Sequence, residues 1–330
     1  MLNIVGLIGL MAISVSLLWL ARYARRQKSR YLKWGCGGLA VLFATSTSLV
    51  SLLIVVGLIK QHTRTAPVPD LKVLSTPDQV GRGQAIADSF CDDCHSETGK
   101  LTGGVDIGKH IPIPIGSIVS ANLTPTGRLR LWSDGEIFRA IRNAVDADGR
   151  WLVIMSYTNV GKLSDDDIKA LIAYIRTRPA GGQEIANPPD QLNMLGLMML
   201  GAGLLPGGKP IFTGVVSAPP KGATIEYGKY ILSYHDCREC HGADLTGGVA
   251  GQLAPLGPDL TVVKEWTQEE FFAAMRTGID PGGREIGKEM PWRLIGKMDD
   301  EELGAMYEYL AHMPDSQRGG TGKDPTNLRR

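Results

Sequence analysis

Cys91-Asp92-Asp93-Cys94-His95 returns later in the chain as Cys237-Arg238-Glu239-Cys240-His241. Both stretches read C-x-x-C-H. Two thiols about one helical turn apart can bond the two vinyl groups of one porphyrin, and the adjoining histidine reaches the iron from the same side. A bare C-x-x-C also serves zinc and thiol redox chemistry. The added histidine and the duplication select covalent attachment of haem c at both places. Cys91, Cys94, Cys237 and Cys240 are therefore read as attachment residues, and His95 and His241 as proximal iron ligands.

The rest of the composition suits that reading. A chain of 330 residues has room for two domains or more. Its net charge of +1 gives no bulk attraction to nucleic acid, and no nucleic-acid partner is expected. Aromatic residues make up only 6%, while there are 41 Gly and 19 Pro, as expected of loops wrapped round a large planar cofactor. Of five cysteines, the motifs take all but Cys36, so no disulfide framework is expected. Haem of this kind is attached on the outer side of an energy-transducing membrane, which points to a bacterial periplasm.

Residues 2–20 are almost wholly apolar, and residues 35–59 form a second run of spanning length. Between them lie Arg22, Arg25, Arg26, Lys28, Arg30 and Lys33. The positive-inside rule puts this basic hinge in the cytoplasm and everything after Lys60 outside, with both motifs. A cleaved signal peptide is the rival reading, but the first run lacks a positive leader and a small-residue cleavage site. The expected organisation is a transmembrane hairpin over 1–60, a Pro-bearing linker over 61–79 and a first haem domain over 80–178. A Gly/Pro-rich linker over 179–222, a second haem domain over 223–314 and a polar tail over 315–330 complete it. Within the middle linker, residues 192–205 (LNMLGLMMLGAGLL) are strongly apolar. They can pack between the haem domains, lie in the membrane interface or dock on a partner subunit. Burial against protein is preferred, because the charged face of an interfacial helix is missing.

The two motifs sit inside a longer repeat. Leu101-Thr102-Gly103-Gly104-Val105 matches Leu245-Thr246-Gly247-Gly248-Val249, and Asn122-Leu123-Thr124 matches Asp259-Leu260-Thr261. Trp132 matches Trp266, Arg142 matches Arg276, Asp146 matches Asp280, and Met155-Ser156-Tyr157 matches Met290-Pro291-Trp292. Each copy closes with an acidic helix start and an amphipathic helix, Ser164 being the N-cap expected in the first. This order of parts resembles class I cytochrome c, so the fold implied is mainly α, with two tandem domains of that class after the hairpin. The finer wording, from the Asn-Leu-Thr segment to the Asp-x-Asp-Gly-Arg turn, is similar to the cytochrome c subunits of membrane-bound alcohol and gluconate dehydrogenases. Those subunits usually carry three haems, whereas this chain has two motifs.

The sixth ligand of each iron follows from position. Met155 is the only methionine after the first motif within its domain and stands ahead of the last helix; His110 is its rival. The second domain offers Met275, Met290, Met298, Met306 and Met313. Met290 pairs with Met155 in the repeat and precedes a proline, so it is chosen, with His235 and His312 as lesser rivals. The resemblance also implies Trp and Arg donors to the haem propionates, and the repeat nominates Trp132, Arg142, Trp266 and Arg276. The resemblance further implies that Pro258 sits near the proximal histidine, whose ring N–H donates to a backbone carbonyl; the first copy has Ala121 there, so the bond need not carry over. Tyr174 and Tyr309 are expected where the last helix crosses the first.

Two closed, six-coordinate irons leave no position for substrate, so the expected function is electron transfer without a substrate site of its own. The expected cofactors are two covalently bound haem c groups. The expected partners are a bacterial inner membrane, membrane-embedded subunits of a respiratory or photosynthetic complex, and redox donor and acceptor proteins. A dihaem peroxidase with one open site is the alternative.

Overall fold

Capping residues decide where most helices begin. In the computed structural model, residues 2–96, 99–184, 190–205, 208–252 and 254–314 are described. The chain is mainly helical and divides into two units between Val216 and Ser217. The tail expected over 315–330 lies outside the described residues.

The first unit opens with α1 (Leu2–Arg25) and α2 (Gly37–Thr63), joined through the basic hinge and a π-helical turn at Tyr31–Cys36. Both helices are long and apolar enough to cross a membrane. Their seam is made of small side chains. Ala21, Ala24, Ala40 and Ala44 are buried, and the Ser14 and Thr47 hydroxyls meet at 2.7 Å. Close approach through small residues is how helices associate where lipid removes the hydrophobic drive. Val5, Ile8, Val15, Trp19, Leu39, Phe43 and Leu49 point outward and are exposed. A contiguous surface of that kind needs an apolar surrounding.

The first haem domain begins with α3 (Pro77–Ile86). Thr76 caps it, its hydroxyl accepting from Gln79 N at 3.3 Å, and Pro77 stands at the start, where its missing N–H costs nothing. A π-helical turn, Ala87–Cys91, leads into the short α4 (Asp92–His95). Helix α5 (Asp134–Asn143) starts with a capping box of Ser133 and Glu136. Helix α6 (Asp165–Thr177) is capped by Ser164 as expected, through Asp167 N at 3.0 Å. Helices α3 and α6 cross at Gly83, where any Cβ would collide with the Ala170 carbonyl and with Tyr174. Arg82 closes the crossing with a fork onto both oxygens of Asp167, at 2.7 and 3.1 Å.

Much of the expected middle linker is spent on the first unit. Strand β1 (Gly116–Ile118) pairs antiparallel with β2 (Asp190–Leu192), and α7 (Met194–Ala202) follows. Leu197 and Leu200 of α7 are buried in one cluster with Ile54 of α2 and with Ile115, Ile118, Trp151 and Val153 of the haem domain. Polar bonds tie the same parts. Trp151 N donates to Gln61 O at 3.1 Å, Arg64 Nε to Asn143 O at 2.9 Å, and Lys60 Nζ to Leu200 O at 3.1 Å. Further along, Asn143 exchanges bonds with the Phe212 backbone at 2.8 and 3.0 Å, and Asp165 N donates to Val216 O at 2.8 Å.

The second unit repeats the haem-domain plan with α8 (Ile225–Tyr234), α9 (Cys237–His241), α10 (Gln268–Thr277), the short α11 (Trp292–Ile295) and α12 (Asp300–Ala311). Thr224, Thr267 and Asp299 supply the caps of α8, α10 and α12. Helices α8 and α12 cross at Gly228 against the Ala305 carbonyl and Tyr309, in the manner of Gly83. Both tyrosines thus sit at the crossings expected of them. Gly83→Val and Gly228→Val should each destabilise their own unit by about 3 kcal/mol, the upper end of ordinary overpacking. Denaturant titration followed by tertiary circular dichroism checks this, and an unchanged midpoint would contradict the crossing.

Candidate haem sites

The first motif is set at the end of the α3 segment and the second after α8. The segment that follows each histidine folds back over it in the same way. Gly103 N donates to His95 O at 2.7 Å, and Gly247 N to His241 O at 2.9 Å. Leu123 N then donates to Leu101 O, and Leu260 N to Leu245 O, both at 2.9 Å. Leu101 and Leu245 are buried and hold φ of +55° and +61°, a left-handed backbone that leucine rarely adopts. The same unfavourable conformation in both copies marks a turn that the surrounding structure imposes.

That fold-back delivers a carbonyl to each histidine. Ala121 O lies 2.9 Å from His95 Nδ1, and Pro258 O lies 2.8 Å from His241 Nδ1. A carbonyl only accepts, so Nδ1 carries the proton in each ring and Nε2 keeps its lone pair. This is the orientation required of a histidine ligand to iron. The Asn-Leu-Thr and Asp-Leu-Thr segments fix the carbonyl. Asn122 Oδ1 accepts from Thr124 N and Oγ1 at 2.9 and 2.8 Å, and Asp259 Oδ1 accepts from Thr261 N and Oγ1, both at 2.8 Å. The bond read for Pro258 is present, and it carries over to Ala121.

The cysteines fit thioether attachment better than their other chemistries. None of the four motif thiols is in a disulfide, and all four are half-buried. Among the described residues, no group of three or more His, Cys, Asp or Glu side chains is gathered as a metal cage, whereas structural zinc takes four such ligands. Desolvation first, with the neighbouring Asp92, pushes the Cys91 thiol up to about 12; desolvation and Asp236 push Cys237 to about 12 as well. A thiol-exchange nucleophile needs the opposite shift. Desolvation also holds His95 below the usual imidazole range, against its bond to Ala121 O, which favours the neutral, ligating form.

The distal candidates lie in turns. Met155 sits in the turn that ends at Tyr157, and Met290 in a turn where its N–H donates to Gly287 O at 3.0 Å and its carbonyl accepts from Trp292 N at 2.8 Å. Both are half-buried. Met275, Met298, Met306 and Met313 are buried as packing residues. Of the histidine rivals, His110 and His312 are exposed, and His235 is buried against Tyr234.

Each repeated arginine bonds to the helix that closes its domain. Arg142 is buried, donates to the carbonyls of Gly161 and Leu163, and pairs with Asp165 at 2.6 Å. Its equivalent, Arg276, pairs with Asp300. In each copy the arginine ends one helix and holds the first turn of the last one. Trp132 and Trp266 are half-buried, and their backbone carbonyls accept from Arg176 and from the Tyr307 hydroxyl. Sequence reading paired Leu101 with Leu245 in the repeat but gave neither a role, and it passed over Gly83 and Gly228.

Comparison with known proteins agrees with this geometry. Residues 80–179 match the family described as cytochrome c, and residues 223–310 match that described as cytochrome c oxidase, cbb3-type, subunit III. Both units carry a cytochrome c domain. The haem these domains bind is covalently attached haem c, as C-x-x-C-H requires. Across its length the chain is similar to the fructose dehydrogenase cytochrome subunit of Gluconobacter japonicus, 24% identical over 307 residues, covering 84% of this chain and 60% of that relative. A nicotinate dehydrogenase subunit of Pseudomonas putida is 29% identical over 284 residues, 75% of this chain and 22% of that protein. The cytochrome c subunit of quinone-dependent alcohol dehydrogenase from Gluconobacter oxydans is 28% identical over 102 residues, 27% of this chain and 21% of that relative. The chain therefore spans 60% or less of these relatives. The resemblance to alcohol and gluconate dehydrogenase cytochrome subunits read from the repeat is borne out.

The arginine clamps differ in burial. The Arg142 side chain is 2% exposed, and that of Arg276 is 43% exposed. Arg142→Ala should cost the first unit about 3 kcal/mol, because it strands buried carbonyls and Asp165. Arg276→Ala should cost less than about 1 kcal/mol, as for an exposed pair. Denaturant unfolding of both variants measures the contrast, and equal costs would refute it.

Proposed function

We propose that this protein is the electron-transfer subunit of a membrane-bound dehydrogenase complex and carries two haem c groups. The observation that carries the reading is the twofold recurrence of a C-x-x-C-H histidine whose Nδ1 proton is held by a backbone carbonyl, at 2.9 and 2.8 Å. The haem domains are assigned to residues 80–178 and 223–314. Cys91 and Cys94 hold one group and Cys237 and Cys240 the other. His95 with Met155, and His241 with Met290, would hold the two irons. Bound haem would supply a one-electron carrier, and a thioether ligand would raise its potential. Trp132, Arg142, Trp266 and Arg276 are the candidate donors to the haem carboxylates.

The chain's own residues do the positioning. Backbone bonds from Gly103 and Gly247 fold a loop over each proximal histidine, and the two carbonyls set its tautomer. The hairpin anchors the chain in the inner membrane, the basic hinge faces the cytoplasm, and the haem domains face the periplasm. The catalytic partner is a separate dehydrogenase subunit, by analogy with the dehydrogenases whose cytochrome subunits this chain resembles. The peroxidase alternative finds no support in the matched families, and Met155 and Met290 in equivalent turns favour two closed sites.

Two measurements test this. A pyridine haemochrome assay with intact-protein mass should give two haem c groups per chain, and Cys237→Ala with Cys240→Ala should leave one. Met155→His should lower the potential of one redox wave and leave the other in place, with Met290→His moving the other. A variant that moves neither wave would remove that methionine from the ligand set.

A further inference from the structure

Helix α7 is apolar on every side, Met194-Leu-Gly-Leu-Met-Met-Leu-Gly-Ala202. Such a helix is stable only with apolar surroundings on every side. Protein provides half of them. Gly196, Leu197 and Leu200 are buried, while Leu195 is 38% exposed and Leu204, just past the helix, is 66% exposed. Met198 and Met199 are partly covered.

The position of α7 on the hairpin says what covers the rest. A Cβ on Gly57 would collide with the Leu197 carbonyl, and one on Gly201 with the carbonyl of Leu53. Measured along α2 from Lys60, these contacts lie roughly 5 and 10 Å inside its apolar run, at about 1.5 Å per residue. Met194 meets Gly6 of α1 at the corresponding end of the hairpin. At this level α2 shows exposed Leu52 and Ile59, and α1 shows exposed Ile4, Val5 and Ile8.

The ends of α7 are closed in the way a bilayer demands. Asn193 Oδ1 accepts from Gly196 N at 2.9 Å, while its own amide donates to Pro114 O at 2.7 Å. At the other end Leu204 N donates to Met199 O at 2.9 Å past Gly203, whose φ is +73°. Lys60 Nζ donates to Leu200 O and Gly201 O at 3.1 and 3.3 Å. Helix ends in water can leave such groups to solvent; in hydrocarbon the protein must satisfy them.

We infer that the outward face of α7 lies among the acyl chains of the leaflet adjoining the first haem domain, as a third, in-plane membrane element. This rests on the reading that α1 and α2 span the bilayer. The test uses the full haem-loaded chain in lipid nanodiscs. Nitroxide is placed at Leu195→Cys or Leu204→Cys in a Cys36→Ser background. Ile13→Cys on α1 is the lipid control and Asp166→Cys, whose side chain is 93% exposed, the water control. Collision with oxygen and with a water-soluble nickel chelate is read at each site. The α7 labels should match the Ile13 label, favouring oxygen over nickel several-fold more than the Asp166 label does. Water-like ratios at both α7 sites, with Ile13 still lipid-like, overturn the inference alone. Shielding of both α7 labels from both reagents gives the face to protein and overturns it too. A water-like Ile13 label overturns the hairpin reading along with it.

Discussion

Main chain pressed on main chain is the constraint from which each haem domain is built. At Gly83 against Ala170 O, and at Gly228 against Ala305 O, two helices meet with no side chain between them. This contact fixes the helix that leads into the C-x-x-C-H motif against the helix that closes the domain. Caps and acidic first turns then decide where each helix starts, and Arg82 with Asp167 fastens the first crossing. The loops between are free to vary because the crossing already holds their ends.

The two copies spend the same residues at different depths. Arg142 and Arg276 both hold the first turn of the last helix, but one does so from the interior and the other from the surface. A buried guanidinium that satisfies three acceptors makes its helix junction rigid, because losing any one bond strands a polar group. An exposed pair imposes no such penalty. Within the first unit, the haem domain is fastened to the hairpin through Gln61, Arg64 and α7.

The motifs, the two spanning helices, the closing helices with the Ser164 cap and the tandem plan were legible in the sequence, because spacing and periodicity record them directly. The proximal carbonyl at Pro258 was legible from the resemblance, while that at Ala121 was not, because the change of residue hides a bond made by the main chain. The protein partners of Arg142 were not legible: a repeated arginine records that a charge is needed, while the carbonyls of Gly161 and Leu163 have no side-chain signature. The middle linker was legible in part. Burial of residues 192–205 was read from their apolar run, but the close packing of Gly201 on α2 and the hold of Asn143 on the Phe212 backbone leave no pattern in composition. Glycine serves both a loose chain and a tight contact, and composition alone does not separate them.

The bond that orients each proximal histidine ends on a main-chain oxygen, and every amino acid supplies one. The side chain at that position is therefore released from selection for the bond itself, which is why alanine serves in one copy and proline in the other. What has to persist is the Asn or Asp and the Thr that hold the turn. A duplicated domain with this arrangement can drift at its proximal face, changing charge or bulk around the motif, while the histidine tautomer is inherited intact.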